Sequence, residues 1–206
     1  LQNYSDMVFG QTGFRFVRID FEGDAKIKSI VAESYIYNKP VLYAYNGKDE
    51  AIQKIYETAK RTVDLCTAKG YVWDGIKRDR LVWIGDLYPE MKSAVNLFST
   101  VPETYNSLKF ALNETPLPRW INTIPTYSVW WLIIYAENYF NNGNLTEVYD
   151  MLDYAKGVIN QVSNHVLPDG TTNFHHNFID WPSHRDDRYD TDLSKEERFV
   201  KEQDEL

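Results

Sequence analysis

The sequence has little sulfur, little histidine and no long apolar run. Cys66 is the only cysteine in 206 residues, so no internal disulfide braces the fold. Its place on an apolar helical line marks a buried thiol rather than a reactive one. No stretch approaches the ~20 apolar residues that cross a bilayer. None has the make-up of a secretory leader, and the compartment is left open. Of the four histidines, His175 and His176 are adjacent. Adjacent side chains on an extended chain point apart and the spacing suits no metal, so neither a metal nor another cofactor is expected. No fixed repeat period runs through the chain, which argues against a helical-repeat array. Positive charge is in deficit: 22 basic residues face 30 acidic ones, a net charge of −8. Nucleic acid and anionic membrane are thereby disfavoured as partners.

What is present suffices for a packed interior. Hydrophobic residues make up 43% and charged residues 25%, a globular balance, and the length suits one or two domains. Aromatic residues reach 15%, with six Trp and fifteen Tyr. That stock fits a sugar-binding surface, and equally the packing of thick helices.

The chain is organised around Trp73 to Asp86, WDGIKRDRLVWIGD. Asp74, Asp79 and Asp86 lie among Lys77, Arg78 and Arg80, with Lys69 just before, and with Trp73, Val82, Trp83 and Ile84 between them. A solvated face would not carry the indoles. A core segment would not carry the unpaired charges, whose burial is costly. A carbohydrate site needs both: carboxylates and Arg bind hydroxyls, and an indole face covers the apolar side of a sugar ring. Carboxylates near Trp or near each other also have their pKa values pushed apart, which suits acid/base work. The plainer reading is a charged loop between two helices, its Asp–Arg pairs serving structure alone.

Around that stretch the periodicity changes from strand to helix. Residues 1–46 read as strands. Phe14, Phe16, Val17 and Ile19 alternate with Arg15, Arg18 and Asp20, and further runs cover Ile27 to Tyr37 and Val41 to Tyr45. A small sheet packed on a helical domain accounts for them as well as a larger β unit does. From Asp49 the period is helical. Ile52, Ile55, Tyr56, Ala59, Val63 and Cys66 share a face, with Asp49 as cap and Gly70 as stop. Pro89 suits the first turn of the next helix. Thr100 with Glu103 resembles a capping box for a helix to Leu112. Tyr127 to Phe140 is apolar on nearly every side and should be deeply buried. It holds Trp130 and Trp131, as core or with one reaching the site. Asn144 with Glu147 caps a last long helix lined by Val148, Met151, Leu152, Ala155, Val158, Ile159 and Val162. Pro168-Asp169-Gly170 is a turn, and residues 183–206 are a charged helix or tail.

Asp74, Arg78, Asp79, Arg80, Leu81, Trp83, Gly85 and Asp86 match in order the signature of the bacterial α-L-rhamnosidases of the six-hairpin type. The stretch resembles that family with two departures. The acid after the Arg is usually Glu, and a Cys-Pro pair usually stands where this chain has Gly75-Ile76. The segment Gly13 to Gly23 is similar to the end of the β-sandwich before the family's barrel. Asp49 to Cys66 is similar to its first barrel helix, Tyr127 to Leu152 to a later hairpin, and Phe178 to Pro182 to a further pocket segment. The resemblance implies a mainly α chain with an N-terminal β segment. Residues 1–46 would end a β-sandwich domain, and 47–206 would form the N-terminal part of a partial (α/α)6 six-hairpin barrel. It implies Asp79 as catalytic general acid, with Asp74, Arg78, Trp83, Asp86, Asp180 and Trp181 binding substrate.

The implied activity is inverting hydrolysis of terminal α-L-rhamnosyl residues, with a rhamnose-containing oligosaccharide or glycoside as partner. Inversion needs a second carboxylate, about 6.5–9.5 Å from the acid, to activate water. In the family that base is a Glu that would lie beyond residue 206, so a fragment of a longer enzyme is expected. The alternatives are a truncated, inactive carbohydrate-binding homologue and a helical scaffold. An incomplete barrel leaves helix faces uncovered, so self-association or poor solubility is expected.

Overall fold

In the computed structural model, which describes residues 13–24, 26–34, 36, 39–76, 79–98 and 101–174, the first described helix is opened by Asp49. Its Oδ1 accepts the N–H groups of Ala51 and Ile52 at 2.9 and 3.2 Å, which starts α1, Glu50–Cys66. The helix stops when Thr67 turns extended, its N–H donating to the Val63 carbonyl. Two short strands follow, β1 (Thr67–Ala68) and β2 (Tyr71–Val72), paired antiparallel with Thr67 opposite Val72. Lys69 and Gly70 between them have φ of 54° and 82°, the left-handed pair that a two-residue hairpin turn requires. Gly70 therefore makes that turn and is not the stop of α1, a correction to the sequence reading. The hairpin is pinned to the third helix: the Val72 N–H donates to Ser107 Oγ at 3.0 Å and Asn106 Nδ2 to the Gly70 carbonyl at 2.9 Å.

Among the described residues four more helices follow in a mainly helical fold: α2 (Ile84–Phe98), α3 (Pro102–Glu114), α4 (Pro125–Asn142) and α5 (Leu145–Ser163), with a 3-10 turn at Ile121–Thr123. α4 packs on α2, α3 and α5. Between them lie Ile84, Leu87, Met91, Ala94, Leu108, Trp131, Ile134, Met151 and Ala155, all buried. Trp131 is fully enclosed. Its indole N–H donates to the Leu108 carbonyl at 3.1 Å, and its ring lies flat on Tyr135 and edge-on to Tyr154. Gly143, left-handed at φ 66°, ends α4. Asn144 then caps α5 by accepting the Thr146 N–H, and Glu147 Oε2 takes 2.8 Å bonds from both Asn138 and Asn142. The α4–α5 hairpin is thus fastened at its tip. The 168–170 turn is also present, with Asp169 Oδ1 accepting the Thr171 N–H at 3.0 Å.

The N-terminal expectation is corrected. Among the described residues of 13–46 there is no strand. Phe16, Val17, Ile30, Val31 and Tyr43 are exposed. Pleated backbone needs a neighbour to bond, and among the described residues the backbone of this segment is held at single anchors: the Gly13 N–H on the Ile76 carbonyl, the Leu42 N–H on the Leu97 carbonyl, and the Tyr43 carbonyl under the Tyr56 hydroxyl. α2 starts at Ile84 rather than at Pro89, because the Trp83 carbonyl already accepts the Leu87 N–H; Pro89 falls inside the helix. α3 opens on Pro102, with no side-chain cap at Val101, and Thr100 lies outside the described residues. α4 is not buried all round: Phe140 is 79% exposed and Ile133 and Tyr139 face outward. Ile159 of the α5 line is likewise exposed. His175, His176 and residues 178–206 lie outside the described residues.

Candidate functional site

Asp74 follows directly on the hairpin. Its N–H donates to the Leu81 carbonyl at 3.1 Å, and its Oδ1 accepts the Leu81 N–H at 2.8 Å. This double clasp closes the loop between them at its neck. Arg80, left-handed at φ 52°, turns the chain back to meet Asp74. One carboxylate oxygen therefore serves structure, while Oδ2 has no hydrogen bond among the described residues. Asp86 stands in the first turn of α2. Glu90 is one turn further, and residues four apart share a helix face.

Glu90 is the residue that the sequence reading missed. Burial first, then the charges of Asp86 and Asp74, push its carboxyl up to about 8. It therefore keeps its proton at neutral pH, and it makes no hydrogen bond or ion pair among the described residues. The Cys66 thiol, at the end of α1, is pushed up by burial and then by Glu90 and Asp74. The end of α1, the clasped loop and the first turns of α2 thus bring Cys66, Asp74 and Asp86 within electrostatic reach of Glu90. The signal was in the sequence. Two acids one turn apart on a helix repel each other, which costs a few tenths of a kcal/mol. Placing the helix start at Pro89 put Asp86 and Glu90 on different elements and hid that spacing. Among the described residues, no three His, Cys, Asp or Glu side chains are grouped to hold a metal ion.

Both indoles of the stretch are half-buried against the core. Trp73 donates its ring N–H to the Ala68 carbonyl at 2.8 Å and meets the Tyr71 edge. Trp83 meets Tyr127 edge-on, centroids 6.2 Å apart. Gly85 makes that contact possible, since a Cβ there would lie 2.4 Å from the Tyr127 ring. Asp79 is exposed, and the charges acting on Glu90 are Asp86 and Asp74. Trp131 is core, and Trp130 lies over Tyr88 with centroids 5.1 Å apart. Arg78, Asp180 and Trp181 fall outside the described residues.

No protein family, curated protein or solved structure that was compared matches this chain.

Proposed function

We propose that the chain carries the proton-donating side of a glycoside hydrolase site, of the kind that cleaves terminal α-L-rhamnosyl residues with inversion. Glu90 is assigned as the donor. The single feature behind this is a carboxyl pushed up to about 8 by burial first and then by the charges of Asp86 and Asp74. A general acid needs a pKa near or above the working pH, and Glu90 meets that condition. Its proton goes to the glycosidic oxygen as the bond to the anomeric carbon breaks, while water bonds to that carbon from the opposite face and gives its proton to a second carboxylate as base. Asp74 Oδ2 and Asp86 are assigned to bind sugar hydroxyls and to stabilise the positive charge that develops on the ring. Trp83 offers an apolar face to the sugar. The signature from Asp74 to Asp86 supports the choice of rhamnose. For the fold, the same reading makes the helices part of a six-hairpin (α/α)6 barrel, and the α4–α5 hairpin is the unit that supports it.

The test is sugar release from α-L-rhamnosides whose leaving groups range from nitrophenyl to alkyl. Losing a general acid costs ~10²–10⁴-fold, and costs most where the leaving group is poor. Glu90→Gln is expected to fall that far on the alkyl glycoside and much less on the nitrophenyl one, with Asp79→Asn close to wild type on both. The reverse ranking would return the donor role to Asp79. Rhamnose binding without release would make the site a binding module, and neither binding nor release would overturn the carbohydrate reading.

A further inference from the structure

The N-terminus of α2 is capped by a residue from far along the chain. Asn122 Oδ1 accepts the Ile84 N–H at 3.1 Å, and Nδ2 reaches the Val82 carbonyl at 3.5 Å. These two peptide groups stand on either side of Trp83. Only this orientation of the carboxamide sets an acceptor against the N–H and a donor against the carbonyl. The 3.5 Å contact is the weaker one.

The backbone that delivers Asn122 is held in an uncommon shape. Asn122 has φ 50° and Thr123 φ 66°. Asn tolerates the left-handed region, but a β-branched Thr rarely enters it. The turn is kept there by several bonds. The Thr123 N–H donates to the Trp120 carbonyl and the Ile124 N–H to the Ile121 carbonyl, both at 3.0 Å. The Ile121 N–H donates to Ser128 Oγ at 3.0 Å, and Ile121 and Ser128 are both buried. Backbone strain of this kind persists where the surroundings over-determine it, and it gathers at functional sites. Here its product is one side chain aimed at the peptide groups beside an indole.

We infer that Asn122 is a positioning residue for Trp83: its carboxamide clips the chain on both sides of the indole and sets the ring's stance against Tyr127. The purpose of that stance, covering a sugar face, rests on the function proposed above. The clip itself does not. It couples the turn that opens α4 to the loop that opens α2, and Tyr127 on α4 supports the same ring from another side.

Asn122→Gly separates the clip from the turn, because Gly adopts the left-handed shape without strain and lacks only the carboxamide. Asn122→Asp keeps the acceptor for the Ile84 N–H. The readouts are hydrogen exchange at the Ile84 amide and L-rhamnose affinity, with the circular dichroism spectrum confirming the fold. Asn122→Gly is expected to speed Ile84 exchange about fivefold, as the loss of a cap does, and to weaken rhamnose about tenfold. Asn122→Asp is expected to retain most of both. Unchanged Ile84 protection in Asn122→Gly overturns the inference, and so does unchanged affinity where the wild type binds. A wild type that binds no rhamnose counts against the carbohydrate reading, and Ile84 exchange then decides the clip alone.

Discussion

Glu90 concentrates the chemistry in one carboxyl, and its linkage to folding is a property of that residue. The folded chain holds a proton up to about pH 8 where the ordinary value is 4.5. Below about pH 4.5 both folded and unfolded chains are protonated there, and Glu90 contributes no slope. Between about 4.5 and 8 the unfolded chain gives the proton up and the folded one keeps it, so stability falls as pH rises and then levels off. One pKa unit corresponds to ~1.4 kcal/mol, and for a part-buried group the loss is on the order of 3 kcal/mol. Glu90→Gln should flatten that part of the stability–pH curve, as read by urea unfolding at a series of pH values; an unaltered curve would mean the carboxyl is solvated. At this scale the caps were legible. Asp49, Gly143 and Asn144 each declare a helix end by local chemistry alone. Glu90 was half legible: its spacing from Asp86 stands in the sequence, but its raised value also depends on burial and on Asp74 arriving from another element.

Helix identity was read more readily than helix facing. α1, α4 and α5 are where their periodicity places them, since an apolar line and its caps are local. Which sides are covered depends on partners, so the outward Phe140 and Ile159 were not foreseen. Pro89 misled because Pro usually opens a helix, whereas the Trp83 carbonyl and the Asn122 clip had already opened this one. Trp131 joins α4 to α3 through its Leu108 hydrogen bond and to α5 through its contact with Tyr154. Trp131→Ala empties a fully buried site and should cost about 3–5 kcal/mol. Chemical unfolding checks this, and a loss under 1 kcal/mol would show that neighbouring side chains collapse into the space.

At the scale of the molecule, the described residues form a helical body with apolar surface beside it. Ile52 and Ile55 of α1 are 47% and 67% exposed, and the described residues of 13–46 expose further Phe, Ile and Val side chains. The strand pattern there was legible, but its partners were not, because a ladder is a non-local feature that alternation cannot guarantee. No described helix is long and apolar enough to cross a membrane. Exposed apolar surface of this extent favours self-association. Sedimentation velocity should show association that rises with concentration and weakens in Ile52→Lys/Ile55→Lys; a monomer at every concentration would remove that expectation.

The proposed chemistry depends on the proton at Glu90, and titration of its side-chain carboxyl carbon by NMR observes that proton directly. The inflection should lie near 8 and move down in Asp86→Asn and in Asp74→Asn, as each removes a repelling charge. An inflection at the ordinary value of 4.5, indifferent to both substitutions, would contradict the account.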